Sequence, residues 1–201
     1  MQQLRKTVVG SFPRIDEQLD RSIEKAIDLQ LKHGLDMISD GEQRTDMICY
    51  FEQIPGLSRS GKKVAIVNRI HKPHDVETLY KIRDFVSAKK YLERKGKEGV
   101  SLKVGVTGPV TLGFTCASSG LKEYRNIADL ALYRDIAYAL SPLIDELLRL
   151  GGYVQIDEPG LSAGLLDPAS ATTLISEMIS DLRNVSKNSD MLSLHVCGDL
   201  T

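Results

Sequence analysis

The chain has 201 residues, 42% hydrophobic and 26% charged, with 26 Lys+Arg against 27 Asp+Glu. A composition this ordinary excludes a disordered chain, and a formal net charge of −1 gives no reason to expect nucleic acid as the main partner. No apolar run reaches the roughly 18 residues of a membrane span, the N-terminus lacks a signal peptide, and three cysteines without an export signal fit a reducing cytoplasm.

Short β-branched runs alternate with long amphipathic stretches. Thr7-Val8-Val9 reads as a short strand ending in Gly10-Ser11-Phe12-Pro13. Asp16 to His33 reads as a helix, with Leu19, Ile23, Ala26, Ile27, Leu29, Gln30 and Leu31 giving a mostly apolar face and Gly34 after its end. Leu35 to Asp40 is a second strand, ending at Gly41-Glu42. Arg44 to Gln53 reads as a short helix, and Lys63 to Ile70 as an exposed strand or hairpin arm. His74 to Arg94 is a long helix, and Ser101 to Thr107 a strand running into Gly108-Pro109. Leu121 to Leu150 reads as helical, with a kink or break expected at Pro142. Tyr153 to Ile156 is a strand ending in Asp157-Glu158-Pro159. Pro168 to Ser186 is a helix, and Met191 to Val196 a fifth core strand.

Strands alternating with helices imply a parallel sheet with right-handed crossovers, met in doubly wound folds and in (β/α)8 barrels alike. The loops separate the two. Polar, Gly and Pro residues stand at the C-terminal end of all five core strands, the face from which barrel active sites are built. A nucleotide-binding doubly wound sheet would instead carry one Gly-rich phosphate turn, and Gly10-Ser11-Phe12-Pro13 is neither G-x-G-x-x-G nor a P-loop. The reading is a (β/α)8 TIM barrel with five of its eight strands present. The chain stops at Thr201, just after the fifth strand, so the expectation is a barrel truncated there, with open sheet edges.

Several motifs at these strand ends can carry chemistry. His195-Val196-Cys197 places imidazole and thiol at i and i+2, on one face of a strand, and both are zinc ligands; the alternative is a core histidine beside a buried free cysteine. Asp157-Glu158 suits cation binding, amine recognition or acid–base work, or else an acidic cluster at a helix N-terminus. Asp40 to Met47 is a polar knot, or a turn and helix cap with Arg44 and Asp46 as surface charges. Gly10-Ser11 and Gly108-Pro109 offer backbone N–H groups to a carboxylate, or are plain turns. Cys116 reads as a buried structural thiol, Cys49 as core or substrate-pocket lining rather than a nucleophile, and His33, His71 and His74 as surface or capping residues.

Taken in order, five segments resemble the catalytic domain of cobalamin-independent methionine synthase. They are Thr7 to Arg14, Ser39 to Phe51, Thr107 to Thr111, Gln155 to Pro159 and His195 to Gly198. The resemblance spans essentially the whole chain and is closest to the short, archaeal-type single-barrel form. It implies a zinc-dependent transfer of a methyl group to the thiol of L-homocysteine. It matches His195 and Cys197 to two zinc ligands, and Gly10 and Ser11 to the turn that binds the homocysteine carboxylate. Glu42 and Asp157 match the catalytic-site carboxylates that grip its ammonium group, with Glu158, Arg44 and Asp46 in support. The implied donor is a methylcorrinoid, possibly protein-bound, or methyltetrahydrofolate. The family's remaining zinc ligands, a Glu and a Cys, follow the His-x-Cys and lie beyond this chain. Two other readings are kept open: a related methyltransferase acting on a coenzyme-M-type thiol, and a half-barrel binding module completed by a partner chain.

Overall fold

The computed structural model describes residues 5–185 and 189–198. Helix α1 (Leu19–Lys32) leads into β1 (Met37–Ser39), followed by a hairpin of β2 (Leu57–Ser60) and β3 (Lys63–Ile66). Then come α2 (Tyr80–Arg94), β4 (Ser101–Thr107), α3 (Pro109–Ser119) and α4 (Leu130–Arg149). β5 (Tyr153–Asp157), the single turn α5 (Pro159–Ser162), α6 (Pro168–Val185) and β6 (Leu192–His195) complete the described elements. β1, β4, β5 and β6 form one parallel sheet in that order. Among the described residues no helix is long and apolar enough to cross a membrane.

The alternation of the strands sorts the sheet into two faces. Leu102, Val104 and Val106 of β4 and Val154 and Ile156 of β5 are buried with the helices. The other face carries Lys103, Gly105, Thr107, Gln155 and Asp157, which are polar or side-chain-free. Helix α4 supplies much of the apolar layer through Leu132, Tyr133, Ile136, Leu140, Leu143, Ile144 and Leu147.

Four sequence readings need correction. Thr7-Val8-Val9 forms no strand, because its hydrogen bonds go to side chains. Gln30, 2% exposed, turns its amide onto the free edge of β1: Oε1 accepts from Ser39 N at 2.9 Å and Nε2 donates to Ser39 O at 2.8 Å. The side-chain amide stands where a neighbouring strand's peptide would. The carbonyls of Val8 and Val9 accept instead from Lys103 and Gln155. Second, Arg44 to Gln53 holds only the 3₁₀ turn Cys49–Phe51, started by Asp46, whose Oδ1 accepts from Ile48 N and Cys49 N. Third, residues 109–119 form a helix where the sequence offers only a turn at Gly108-Pro109; Gly108 caps it and Pro109 takes its first position.

Fourth, the long helix starts at Leu130 rather than Leu121, with the Asp129 side chain accepting from Ala131 N, and it runs unbroken through Pro142. Pro142 is only half-buried and the preceding turn exposes Tyr138, so water is at hand for a carbonyl that proline leaves unpaired. The last strand ends at His195, one residue earlier than expected.

The Gln30 amide carries a specific prediction. Gln30→Leu keeps the volume but leaves two buried backbone groups without partners, and should cost about 2–4 kcal/mol of stability. Chemical denaturation of variant and parent checks this.

Candidate active site

The loop after β1 is tightly built. Asp40 is 3% exposed, and its Oδ1 accepts from Glu42 N at 3.1 Å. Gly41 has φ +79°, and a β-carbon there would lie 2.7 Å from that of Ala26. Glu42 follows with φ +51°, in the left-handed region that non-glycine residues seldom occupy. Gln43, also buried, joins the loop to the first segment: its Oε1 accepts from Ile15 N and Ser22 Oγ, and its Nε2 donates to Gly41 O. Phe12 N donates to Gly41 O at 3.0 Å.

Across β4, Glu42 meets Asp157. Gly105 lies between them on the polar face, and a β-carbon on it would stand 2.6 Å from Asp157 Oδ2 and 3.8 Å from Glu42 Oε1. Only glycine leaves that space open. Asp157 is held through Oδ1, which accepts from Gln155 Nε2 at 2.7 Å. Gln155 Oε1 in turn accepts from Lys103 Nζ at 2.8 Å. Burial lowers the Lys103 pKa, and the charge of Asp157 opposes that shift. Burial raises the pKa of Asp157, and the Glu42 charge adds to the rise, while Gln155, His195 and Lys81 oppose it. Gly10 closes the near side: its φ is +121°, its carbonyl accepts from Ser39 Oγ at 2.8 Å, and Ser11 beside it is exposed.

Behind Glu42 stands Lys81 of α2, 1% exposed. Its Nζ lies 2.5 Å from Glu42 Oε1 and 3.9 Å from the centre of the Tyr50 ring. Tyr50 donates its hydroxyl to Asp84 Oδ2, and Asp84 takes the Arg44 guanidinium on both oxygens at 2.5–3.2 Å. Arg44 is therefore part of a half-buried ion pair rather than a free surface charge. Asp40 adds one more carboxylate, and its Oδ2 is buried with no partner among the described residues. Burial first, then the charges of Asp84 and Glu42, push its carboxyl up to about 6; Lys81 opposes them.

The two carboxylates of Asp157-Glu158 divide. Glu158 is fully buried and turned to the start of α3, where it accepts from Val110 N (2.8 Å), Thr111 N (2.9 Å) and Thr111 Oγ1 (2.6 Å). It is the acidic group at a helix N-terminus, while Asp157 faces the site. Its backbone N–H donates to His195 O at 2.9 Å, and Asp157 pairs with His195 in register, so the end of β6 is tied to the end of β5. Cys197 lies two residues beyond β6 and is exposed, so the strand pleat does not itself set its side chain beside His195. Its carbonyl accepts from Ser162 Oγ.

The structure thus brings Gly10, Glu42, Asp157 and His195 to one end of the sheet, with Ser11 and Cys197 exposed at the flanks. Imidazole and thiolate are donor types that zinc takes. Among the described residues, no group of three His, Cys, Asp or Glu is arranged to hold a metal ion. Cys49 and Cys116 are buried, and burial raises both thiol pKa values, to about 11 and about 12, which suits neither to act as a thiolate. The sequence misses Lys81, Asp84 and Lys103 and assigns no role to Tyr50 or Gln155, although both lie in the segments that carry the resemblance. A lysine inside the alternating run Leu102-Lys103-Val104 was the one visible signal; Lys81 and Asp84 look like the polar face of an ordinary helix.

A parallel α/β sheet with polar groups gathered at its strand ends is the architecture of part of a (β/α) barrel. A sequence model of the catalytic domain of the cobalamin-independent synthase matches residues 2–200, and the chain belongs to that family. It is 32% identical over 213 residues to a protein named methionine synthase from Methanocaldococcus jannaschii, covering 96% of this chain and 63% of the relative. A 5-methyltetrahydropteroyltriglutamate–homocysteine methyltransferase of Proteus mirabilis is 29% identical, over 79% of this chain and 24% of its own length. The fold agrees with a B12-independent methionine synthase from Shewanella sp. W3-18-1, solved in complex with selenomethionine: TM-score 0.72, 18% identity, 96% of this chain and 61% of that one. The chain spans about two thirds of the length of its archaeal relatives, 63% and 66% in two of them.

Asp40 gives a pH prediction. Its folded-state pKa of about 6 lies above the ordinary carboxylate value, so its stabilising contribution is full below about pH 4 and is lost as pH rises through 6. Asp40→Asn should remove about 3 kcal/mol of stability loss between pH 4 and pH 7. Denaturation midpoints of both proteins at the two pH values measure it.

Proposed function

We propose that this chain contributes the first β/α units of a zinc-dependent methyltransferase barrel that moves a methyl group onto the thiol of L-homocysteine, giving methionine. The observation that carries this reading is the pair Glu42 and Asp157 on either side of the bare α-carbon of Gly105. Two carboxylates facing one gap suit an ammonium group, which donates up to three hydrogen bonds. The name borne by the relative from Proteus mirabilis points to the same acceptor, and that of the relative from Methanocaldococcus jannaschii to the same product.

In this reading the α-amino group of homocysteine binds between Glu42 and Asp157. Its carboxylate meets the turn at Gly10 and Ser11. His195 and Cys197 would hold zinc together with ligands from elsewhere in the enzyme. Zinc bound there favours the deprotonated form of a thiol at neutral pH. Glu158 and the Arg44–Asp84 pair hold the strand ends in place without touching substrate. The soft sulfur of homocysteine is thereby aligned at one end and its charged groups at the other. The methyl donor is a methylcorrinoid or methyltetrahydrofolate; supplying methylcobalamin and methyltetrahydrofolate in parallel assays separates them. A coenzyme-M-type thiol has no ammonium group and would leave the Glu42–Asp157 pair without a ligand.

Asp157→Asn tests the acceptor. In the full-length enzyme it should raise the KM for homocysteine about tenfold or more, in keeping with loss of a charge-assisted bond, while zinc content stays unchanged. Unaltered homocysteine kinetics would remove Asp157 from the ammonium site. Cys197→Ser should do the reverse, emptying the metal site as read by elemental analysis and abolishing transfer.

A further inference from the structure

Each of the two acidic side chains has one oxygen bound by the protein and one left over. Glu42 Oε1 is paired with Lys81 Nζ at 2.5 Å, and Asp157 Oδ1 accepts from Gln155 Nε2 at 2.7 Å. Glu42 Oε2 and Asp157 Oδ2 have no protein donor among the described residues. The two anchors are buried, 1% exposed for Lys81 and 8% for Gln155, and come from elements on opposite sides of Gly105. We propose that Lys81 and Gln155 are positioning residues that each hold one carboxylate by one oxygen, so that the other oxygen is presented to a primary ammonium group. The inference deepens the homocysteine reading and rests on it.

The chemistry of each anchor fits that task. Glu42 and Asp157 both flank Gly105, and two like charges that close tend to swing apart or to share a proton. Lys81 counters this at Glu42. Its ammonium stands over the Tyr50 ring on one side, with the carboxylate of Asp40 also in its field, while Asp84 is taken by Arg44. The Glu42 backbone is fixed separately by the Asp40 cap at φ +51°, so Lys81 has only the side-chain torsions to settle. Gln155 needs no charge. Lys103 donates to its carbonyl oxygen, which forces its amide nitrogen toward Asp157 and Val9 O. That fixes which way round the amide sits.

Without the anchors the carboxylates remain, but their free oxygens are no longer aimed. The loss should then fall on ligands that bear an ammonium group and spare those that do not. A general loss of packing would weaken both kinds alike.

The test uses the full-length enzyme and two ligands: L-homocysteine, and 4-mercaptobutyrate, the same thiol acid without the amine. Binding of each is measured directly by calorimetry, and 4-mercaptobutyrate also as an inhibitor competing with homocysteine. In Lys81→Met and Gln155→Met the dissociation constant for homocysteine should rise about tenfold or more, with that for 4-mercaptobutyrate within about twofold of the parent. Lys81→Arg keeps the charge but not the point geometry and should fall between parent and Lys81→Met. If Lys81→Met does not fold, Lys81→Arg and Gln155→Met still decide the matter. Unchanged discrimination between the two ligands in the folded variants, or equal weakening of both, overturns the inference and leaves the homocysteine reading standing. A parent enzyme that does not prefer homocysteine over 4-mercaptobutyrate overturns that reading itself.

Discussion

Lys103 puts a primary ammonium in the middle of β4, on the face of the sheet turned away from the helices, and leaves it only 4% exposed. A buried cation must find acceptors, and the two it finds determine the surrounding structure. One is the carbonyl of Val8, which draws the N-terminal segment across the sheet. The other is the Gln155 side chain, which fixes the amide that holds Asp157. Gly10, Ser39 and Asp157 are thus brought together through one lysine and one glutamine. The same logic acts again at Lys81, where a second buried ammonium fixes Glu42. The polar face is held by a few charged and amide side chains that complete each other's hydrogen bonds.

This arrangement also explains what could be read from the sequence and what could not. The parallel sheet was legible because Leu102-Val104-Val106 and Val154-Ile156 face the helices and declare themselves by alternation. The site residues with polar side chains at strand ends were legible for the same reason: Asp157 and His195 stand where an apolar run stops. The failure at Thr7-Val8-Val9 has a definite cause. Those residues have the composition of a strand, and nothing local reveals that Gln30 has already occupied the edge they would pair with. Lys81 was hidden because a lysine on a helix is ordinarily solvated, and its burial depends on Tyr50 and Glu42, far away in sequence. The helix at 109–119 was hidden because its N-terminal N–H groups are satisfied by Glu158, not by a local capping side chain.

Adjacent residues with the same charge serve different ends. Asp157 and Glu158 follow one another at the end of β5, so they point to opposite sides. Both carboxylate oxygens of Glu158 accept hydrogen bonds from the start of α3 and fix the position of that helix. Asp157 keeps one oxygen, Oδ2, without a protein donor among the described residues. A doublet of acids at a strand end can in this way join a structural and a ligand-facing role without either competing for the other's space. The division depends on Gly108, since a β-carbon there would run into the Glu158 carboxylate at 2.3 Å.

The Gln30 amide has one more consequence, for how the protein behaves among its own kind. An unpaired strand edge is a template on which another chain can grow a sheet. At β1 that template is blanked: Ser39 offers neither its N–H nor its C=O to a newcomer, and Met37 N is already spoken for by Lys6 O. Aggregation seeded from this side of the sheet would first have to dislodge a side chain belonging to α1. One glutamine therefore closes a strand edge that would otherwise invite association.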